Sequence, residues 1–485
     1  MDLLGVAKAI QRQRPLLSYP FWETAEPQEK EQIRTELEDW IDSQDNFSQK
    51  QILANIGPIS YDRKALPGAI CASPSRAYPN YYYTWTRDSA LTMSEITKWL
   101  NSTEEVMDDY IEFTEHVQHM KGLKYGLGEA KFNMDGTPFT GSWCNAQTDG
   151  PAIRARVVLA YIAYLQKQGE NKWRRLVDIV RRDLDYVAEV YYQNQHCDIW
   201  EEARGLHLYT LLAQRRALLE AIPLMQQVDT RAASRYRHAV EGIDSMLPRF
   251  WDDQRGHLLT TIDRSGGIGS KRSNLDAQTI LAALHHGTDG KDQYSVGSKW
   301  MTATVLQLLR VFSPMYAINE VATTEIGGRN IPVGVAIGRY PEDVYDGVGV
   351  SRGNPWSLLT SALAEYHYRL ATVFARAGSA VVSEELVQLL LWTRNMSGLS
   401  SIENIVGGRM VAGTQEFNGL LRYLIEAGDL YMARVSRHTA GDHTMYEQWY
   451  REDGFGHGAI HLTWSYAAHL AASRARSEIV EYLRQ

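Results

Sequence analysis

Residues 151–192 read PAIRARVVLAYIAYLQKQGENKWRRLVDIVRRDLDYVAEVYY, and two kinds of helix are written there. From Pro151 to Leu165 the chain is apolar or small on nearly every face. That is the composition of a helix enclosed by other helices. From Trp173 onward, Trp173, Leu176, Val177, Val180, Leu184, Val187, Ala188 and Tyr191 form one stripe at helical spacing, with Arg and Asp opposite. That is a helix with one wet side.

Both kinds recur. Val106, Tyr110, Phe113, Val117 and Met120 repeat the wet pattern. NPWSLLTSALAEYHYRLATVF from Asn354 and LTWSYAAHLAA from Leu462 repeat the enclosed one. Enclosed segments begin near residues 88, 151, 206, 275, 354 and 462, and a wet segment follows most of them. Six inner helices alternating with six outer ones fit a closed ring of helix pairs, so the expected fold is all-α, an (α/α)6 toroid. No low-complexity linker divides the chain. Residues 1–485 therefore read as a single domain, with 1–50 as a helical extension packed on it and no appended binding module. No sustained β-alternation appears, though short hairpins fit Gly256–Gly269 or Ala322–Val335.

With 485 residues, 44% apolar and 22% charged, the composition is that of an ordinary globular protein. A net charge of -8 argues against nucleic acid or an anionic membrane as partner. No apolar run approaches the ~18 residues of a membrane span. The opening MDLLGVAKAIQRQRPLL lacks the apolar stretch of a secretory signal. The expected compartment is the cell interior if Met1 is native, and the exterior if the chain is a processed form. Three cysteines, Cys71, Cys144 and Cys197, are an odd and low count that does not describe a disulfide framework.

Polar and aromatic residues gather just before the enclosed helices. Tyr81-Tyr-Tyr-Thr-Trp85-Thr-Arg87-Asp88 is one cluster, and Trp143 leading to Asp149-Gly-Pro151 is a second. Asp198-Ile199-Trp200-Glu201-Glu202 is a third, and Arg339-Tyr-Pro-Glu-Asp343 leading to Trp356 a fourth. The last is Glu447-Gln-Trp-Tyr leading to Trp464. Capping accounts for part of this: Asp149 before Gly-Pro reads as an N-cap, and Glu201-Glu202 could favour a helix dipole. Capping needs one short polar residue, however, not two carboxylates wrapped in Trp and Tyr. If the inner helices run parallel, their N-terminal loops meet at one end and line one pocket.

In order, these motifs resemble those of the glucoamylases of glycoside hydrolase family 15. YYYTWTRDSAL, Gly126–Trp143 with DGPA, DIWEE, GRYPEDVYDG with GNPW, and Glu447-Gln with LTWSYAA carry the resemblance over roughly residues 50–475. The resemblance implies an (α/α)6 toroid acting on α-glucans or maltooligosaccharides, as a monomer, with no metal or organic cofactor. It implies Glu201 as general acid and Glu447 as general base. Glu202 would contact the leaving glucose, and Arg87 and Asp88 would grip the terminal one. Arg339 would hold the next sugar, while Tyr81, Tyr83, Trp85, Trp143, Ile199, Trp200, Tyr345 and Trp464 would line the pocket. The chain departs from the fungal pattern at Phe139, where Tyr is usual, at Cys144-Asn145-Ala146, and at Arg204. A glucodextranase, a trehalase or a non-catalytic glucan-sensing protein would share parts of this pattern.

Breaking a glycosidic bond takes a proton on the leaving oxygen and a nucleophile at the anomeric carbon. Partial desolvation beside Trp200 and the like charge of Glu202 are two reasons to expect Glu201 to keep its proton. Glu447 would then activate water on the opposite face.

Overall fold

The computed structural model describes residues 27–287, 290–321, 323–326, 328–393 and 407–484. The N-terminal leader reading falls on residues 1–26, outside the described residues.

Six helices form the inner ring: α2 (Thr86–Ile96), α4 (Asp149–Lys167), α6 (Leu208–Val228), α8 (Gln278–His286), α10 (Ser357–Ala377) and α13 (Thr463–Arg484). Each packs on the next, and α13 packs back on α2, which closes the ring. Outside them, α3 (Leu100–Gln118), α5 (Trp173–Val190), α7 (Thr230–Met246), α9 (Lys299–Phe312) and α12 (Gln415–His438) follow and pack on their inner partners, and α11 (Glu384–Thr393) packs on α9. The helix α1 (Pro27–Ala54) packs on α13 and on α12. It covers the outside of the last inner helix. Leu37, Ile41 and Ile52 of α1 are buried in the same core as Ile479 of α13.

The two sequence patterns sort as expected. On α4, residues Ala152, Ile153, Ala155, Val157, Val158, Tyr161, Ile162 and Leu165 are buried, whereas α5 buries mainly Leu176, Ile179, Val180, Leu184 and Val187. Each fully buried Leu or Val of this kind contributes about 1.5–3 kcal/mol. The stripe also hides a charge: Asp183 of α5 is buried, and Arg154 of α4 reaches it with hydrogen bonds of 2.9 and 2.6 Å. Asp229 caps α7, Ser298 caps α9 and Thr414 caps α12, each accepting from amides of the first turn.

Among the described residues the β-structure is six short antiparallel pairs. A hairpin does occupy the 322–335 region, where β7 (Thr323–Ile326) pairs with β8 (Arg329–Pro332). The Gly256–Gly269 stretch differs from expectation. Its β5 (His257–Leu258) pairs back with β4 (Trp251–Asp252), and its β6 (Thr261–Gly267) pairs with the distant β3 (Ala203–His207). The glycines give the reason. Gly267 has φ +86° and lies so close to the Glu202 carbonyl that a side chain would collide with it. Close approach of backbone to backbone selects glycine there.

Candidate active site

The loops that precede the inner helices converge on one cavity of about 400 Å³. Trp85 ends β1 (Thr84–Trp85), and Arg87 and Asp88 open α2. Trp143 and Cys144 precede α4, and Ile199–Glu202 precede β3 and α6. Glu447 lies on β11 (Tyr446–Trp449), and Trp464 is in the first turn of α13. All of these line the cavity, together with Tyr81, Arg339, Tyr345 and Trp356.

The Glu201–Glu202 pair is not at a helix start. Glu201 sits in a tight loop with φ +66°, a left-handed conformation that costs a non-glycine residue about 1–3 kcal/mol. Asp198 holds that loop, its Oδ1 accepting the amides of Glu202 and Ala203 at 2.8 and 3.1 Å. Burial opposes ionisation of Asp198, but Lys271, His207 and those two amides bring its pKa down to about 2. Lys271 is itself wholly buried and also pairs with Asp276, which accepts Trp200 Nε1 at 2.9 Å. A buried ionic cluster thus fixes both Trp200 and the backbone that aims Glu201.

The two candidate catalytic carboxylates have different surroundings. Oε1 of Glu201 accepts Trp85 Nε1 at 2.7 Å and Gln147 Nε2 at 2.8 Å, with Arg87 Nη2 at 3.8 Å. Its Oε2 makes no hydrogen bond among the described residues. Glu447 is 1% exposed. Burial pushes its carboxyl up to about 8 against hydrogen bonds from Tyr81, Ala459 and Tyr345 and the more distant charge of Arg339.

The remaining charges are clamped. Arg87 donates to Gln147 at 2.9 Å and Asp149 at 3.1 Å and lies 3.6 Å from Asp88. Burial pushes Asp88 up to about 6, with Arg87 pulling the other way. Glu202 accepts Arg339 at 2.7 Å and Tyr340 at 2.6 Å. The like charge expected to press on Glu201 is therefore met by Arg339, and Glu201 has Arg87 3.8 Å away. Arg339 also holds Asp343 through bonds of 2.8 and 2.6 Å.

The sequence model of the glycosyl hydrolases family 15 matches residues 46–474. The chain belongs to glycosyl hydrolase family 15. A glucoamylase of Blastobotrys adeninivorans is 33% identical over 436 residues, covering 86% of this chain and 68% of that protein. Glucoamylase 1 of Rhizopus oryzae is 33% identical over 454 residues, covering 91% and 71%. Among solved structures, a glucoamylase from Saccharomycopsis fibuligera matches with TM-score 0.81 at 27% identity, over 92% of this chain and 96% of that one.

For this member of family 15, the cavity gathers every expected site residue except one. Tyr83 does not line it; its ring stands behind Trp85 at 6.0 Å and against Phe139 at 5.2 Å. Asp149 is not the N-cap of α4. Thr148 occupies that position, and Asp149, in the first turn, binds Arg87 instead. The cysteine expectation also fails, since Cys144 and Cys197 form a disulfide while Cys71 is free and buried. The odd count hid a pair that only the fold brings together. Trp356, Val344 and Val350 also line the cavity; Trp356 ends the fourth aromatic cluster, whereas the two valines carry no local signal of a site. Lys131 was missed entirely. Its Nζ sits 3.2 Å from the Trp143 ring centre and 4.3 Å from that of Trp85.

Proposed function

We propose that the chain is an exo-acting, inverting α-glucosidase that releases β-D-glucose from the non-reducing ends of starch, glycogen and maltooligosaccharides. It cleaves α-1,4 bonds, and α-1,6 bonds more slowly. Glu201 is the general acid and Glu447 the general base. The observation that carries this reading is the pairing of these two glutamates, so differently held, across one aromatic-walled cavity. With Oε1 gripped by two donors, Oε2 of Glu201 is the oxygen left to carry a proton to the leaving group. Glu447, buried against two tyrosines, is a stronger base than an exposed glutamate once ionised. Inversion calls for carboxyls about 6.5–9.5 Å apart with water between them and the sugar.

The cavity also suits a polyol. Indole and phenol rings line it beside Arg87, Asp88 and Arg339, offering flat faces for sugar C–H groups and charged donors and acceptors for hydroxyls. Arg87 and Asp88 supply a charged contact for the terminal sugar, which favours exo attack. Substrate hydroxyls and ring faces, Glu201 and Glu447 suffice for the reaction, so no cofactor is invoked.

The test is proton NMR during the first minutes of maltoheptaose hydrolysis, with Glu201→Gln and Glu447→Gln beside the parent. Early β-glucose, and a loss of several orders of magnitude in both variants, is the expected result. Early α-glucose would mean retention and would remove Glu447 from the role of base.

A further inference from the structure

The inner helices enclose a second space farther along the ring axis, lined by Arg156, Arg216, Arg369 and Arg474 from within α4, α6, α10 and α13 and by Lys98, just past the end of α2. One cavity of about 230 Å³ lies behind Trp464, whose side chain lines both it and the substrate cavity. It shares Lys98, Arg369, Ala471 and Arg474 with a larger cavity of about 700 Å³.

This space is basic in a chain of net charge -8. Arg369 is matched by Glu365 at 2.6 Å, and Arg474 by Glu95. Arg376 is 3.8 Å from Glu478. Arg156 and Arg216 must share the single carboxylate Glu220, at 2.9 and 2.5 Å. Lys98 and Lys291 pair with no carboxylate among the described residues. Helix dipoles favour cations only in the last turn, whereas Arg156, Arg216, Arg369 and Arg474 lie one or more turns before the ends of their helices, so the dipoles do not account for the cluster. Burial, then Arg474, Arg369 and Arg156, lower the pKa of Lys98, with Glu95 opposing them. His285, at the inner wall, is pushed down to about 3 by burial and by Arg369 and Arg156, so it remains neutral and adds nothing to balance them. The surplus is positive, and the cavity is open enough that Lys98 is exposed to solvent.

We propose that this space binds a phosphate-type oxyanion, free or carried on a hexose, with Lys98, Arg369 and Arg474 as its contacts. Planar guanidinium groups present paired donors that match phosphate oxygens, and an ammonium adds a point charge. The site is separate from the catalytic carboxylates, with Trp464 between them.

Calorimetric titration of the full chain with inorganic phosphate and with glucose 6-phosphate, at constant ionic strength, tests this. Saturable binding of either anion is expected, the tighter one identifying the source of the phosphoryl group. Lys98→Gln, which breaks no ion pair, should raise that Kd at least tenfold and leave kcat on maltoheptaose unchanged. Lys121→Gln, at an exposed lysine that lines neither cavity, should leave the Kd unaltered. Binding of neither anion, or equal weakening by both substitutions, would overturn the proposal.

Discussion

Tyr345 stands between the two walls of the pocket, its hydroxyl 3.3 Å from Oε2 of Glu447 and 2.9 Å from the hydroxyl of Tyr81. As a donor to the carboxylate it favours the ionised form, which is the form a general base must have. Tyr345→Phe removes that donor and raises the Glu447 pKa beyond about 8. A hydrogen bond to a charged group contributes about 1.5–3 kcal/mol, or about one to two pKa units. The acidic limb of kcat/KM should therefore move to higher pH by about one unit, and the variant should lose more activity at pH 5 than at pH 8. A parallel drop at all pH values would mean that Tyr345 only shapes the pocket.

The same burial makes a stability prediction for Glu447. Its folded pKa of about 8 lies above the ordinary value of 4.5. Ionising it costs more in the folded than in the unfolded chain, so stability falls as pH rises from about 4.5 toward 8. At pH 7 that deficit is about 3 kcal/mol, at 1.36 kcal/mol per unit. Glu447→Gln should raise Tm at pH 7 and leave it nearly unchanged at pH 4, while abolishing activity. Equal Tm values for parent and variant at both pH values would show that the carboxylate is better solvated than its 1% exposure implies.

Much of this was legible in the sequence because inner helices carry a rule that spans many residues. The expected starts near 88, 151 and 206 stand beside observed starts at Thr86, Asp149 and Leu208. Those near 275, 354 and 462 stand beside Gln278, Ser357 and Thr463. Glu201, Glu447 and the tryptophans were legible because each sits in a dense cluster just ahead of such a start. What escaped were single residues whose meaning lies in a distant partner. Lys271 follows a glycine-rich strand and reads as surface charge, yet it is buried between Asp198 and Asp276. Asp149 has the local look of a cap, and only Arg87, far off in sequence, makes it an ion-pair partner. The role of α1 was partly hidden for the same reason: its apolar stripe is ordinary, and what it covers is the other end of the chain.

The Cys144–Cys197 bridge joins the pocket wall to the loop that carries Glu201, closing 53 residues of sequence. The chain-entropy relation gives about 4 kcal/mol for such a loop. Cys144→Ser with Cys197→Ser should lower Tm substantially. It should also raise KM more than it lowers kcat, because Cys144 lines the cavity whereas Glu201 keeps its bonds to Trp85 and Gln147. Reduction of the parent by dithiothreitol should reproduce the loss. Unchanged Tm under reduction would mean that packing alone fixes this wall.

Lys131 sets two effects of opposite sign against each other. Its ammonium is surrounded by four rings, with centres at 3.2 Å for Trp143, 4.2 Å for Phe139, 4.3 Å for Trp85 and 4.5 Å for Tyr83. Cation–π attraction of this kind amounts to about 0.5–2 kcal/mol. Burial, partly offset by Glu201, pushes the ammonium down from 10.5 to about 8. Holding it charged at pH 7 therefore costs about 3 kcal/mol relative to the unfolded chain. The cost exceeds the attraction, so Lys131→Met, which keeps the aliphatic bulk, should raise Tm at pH 7. The cost is largest below pH 8 and disappears toward pH 10.5, so the gain in Tm should shrink at alkaline pH. Activity should fall on the order of tenfold, since one positive charge near Glu201 is lost and about 1.4 kcal/mol is a factor of ten. A lower Tm at pH 7 would reverse the ranking of the two effects and make the aromatic cage a structural element of the wall.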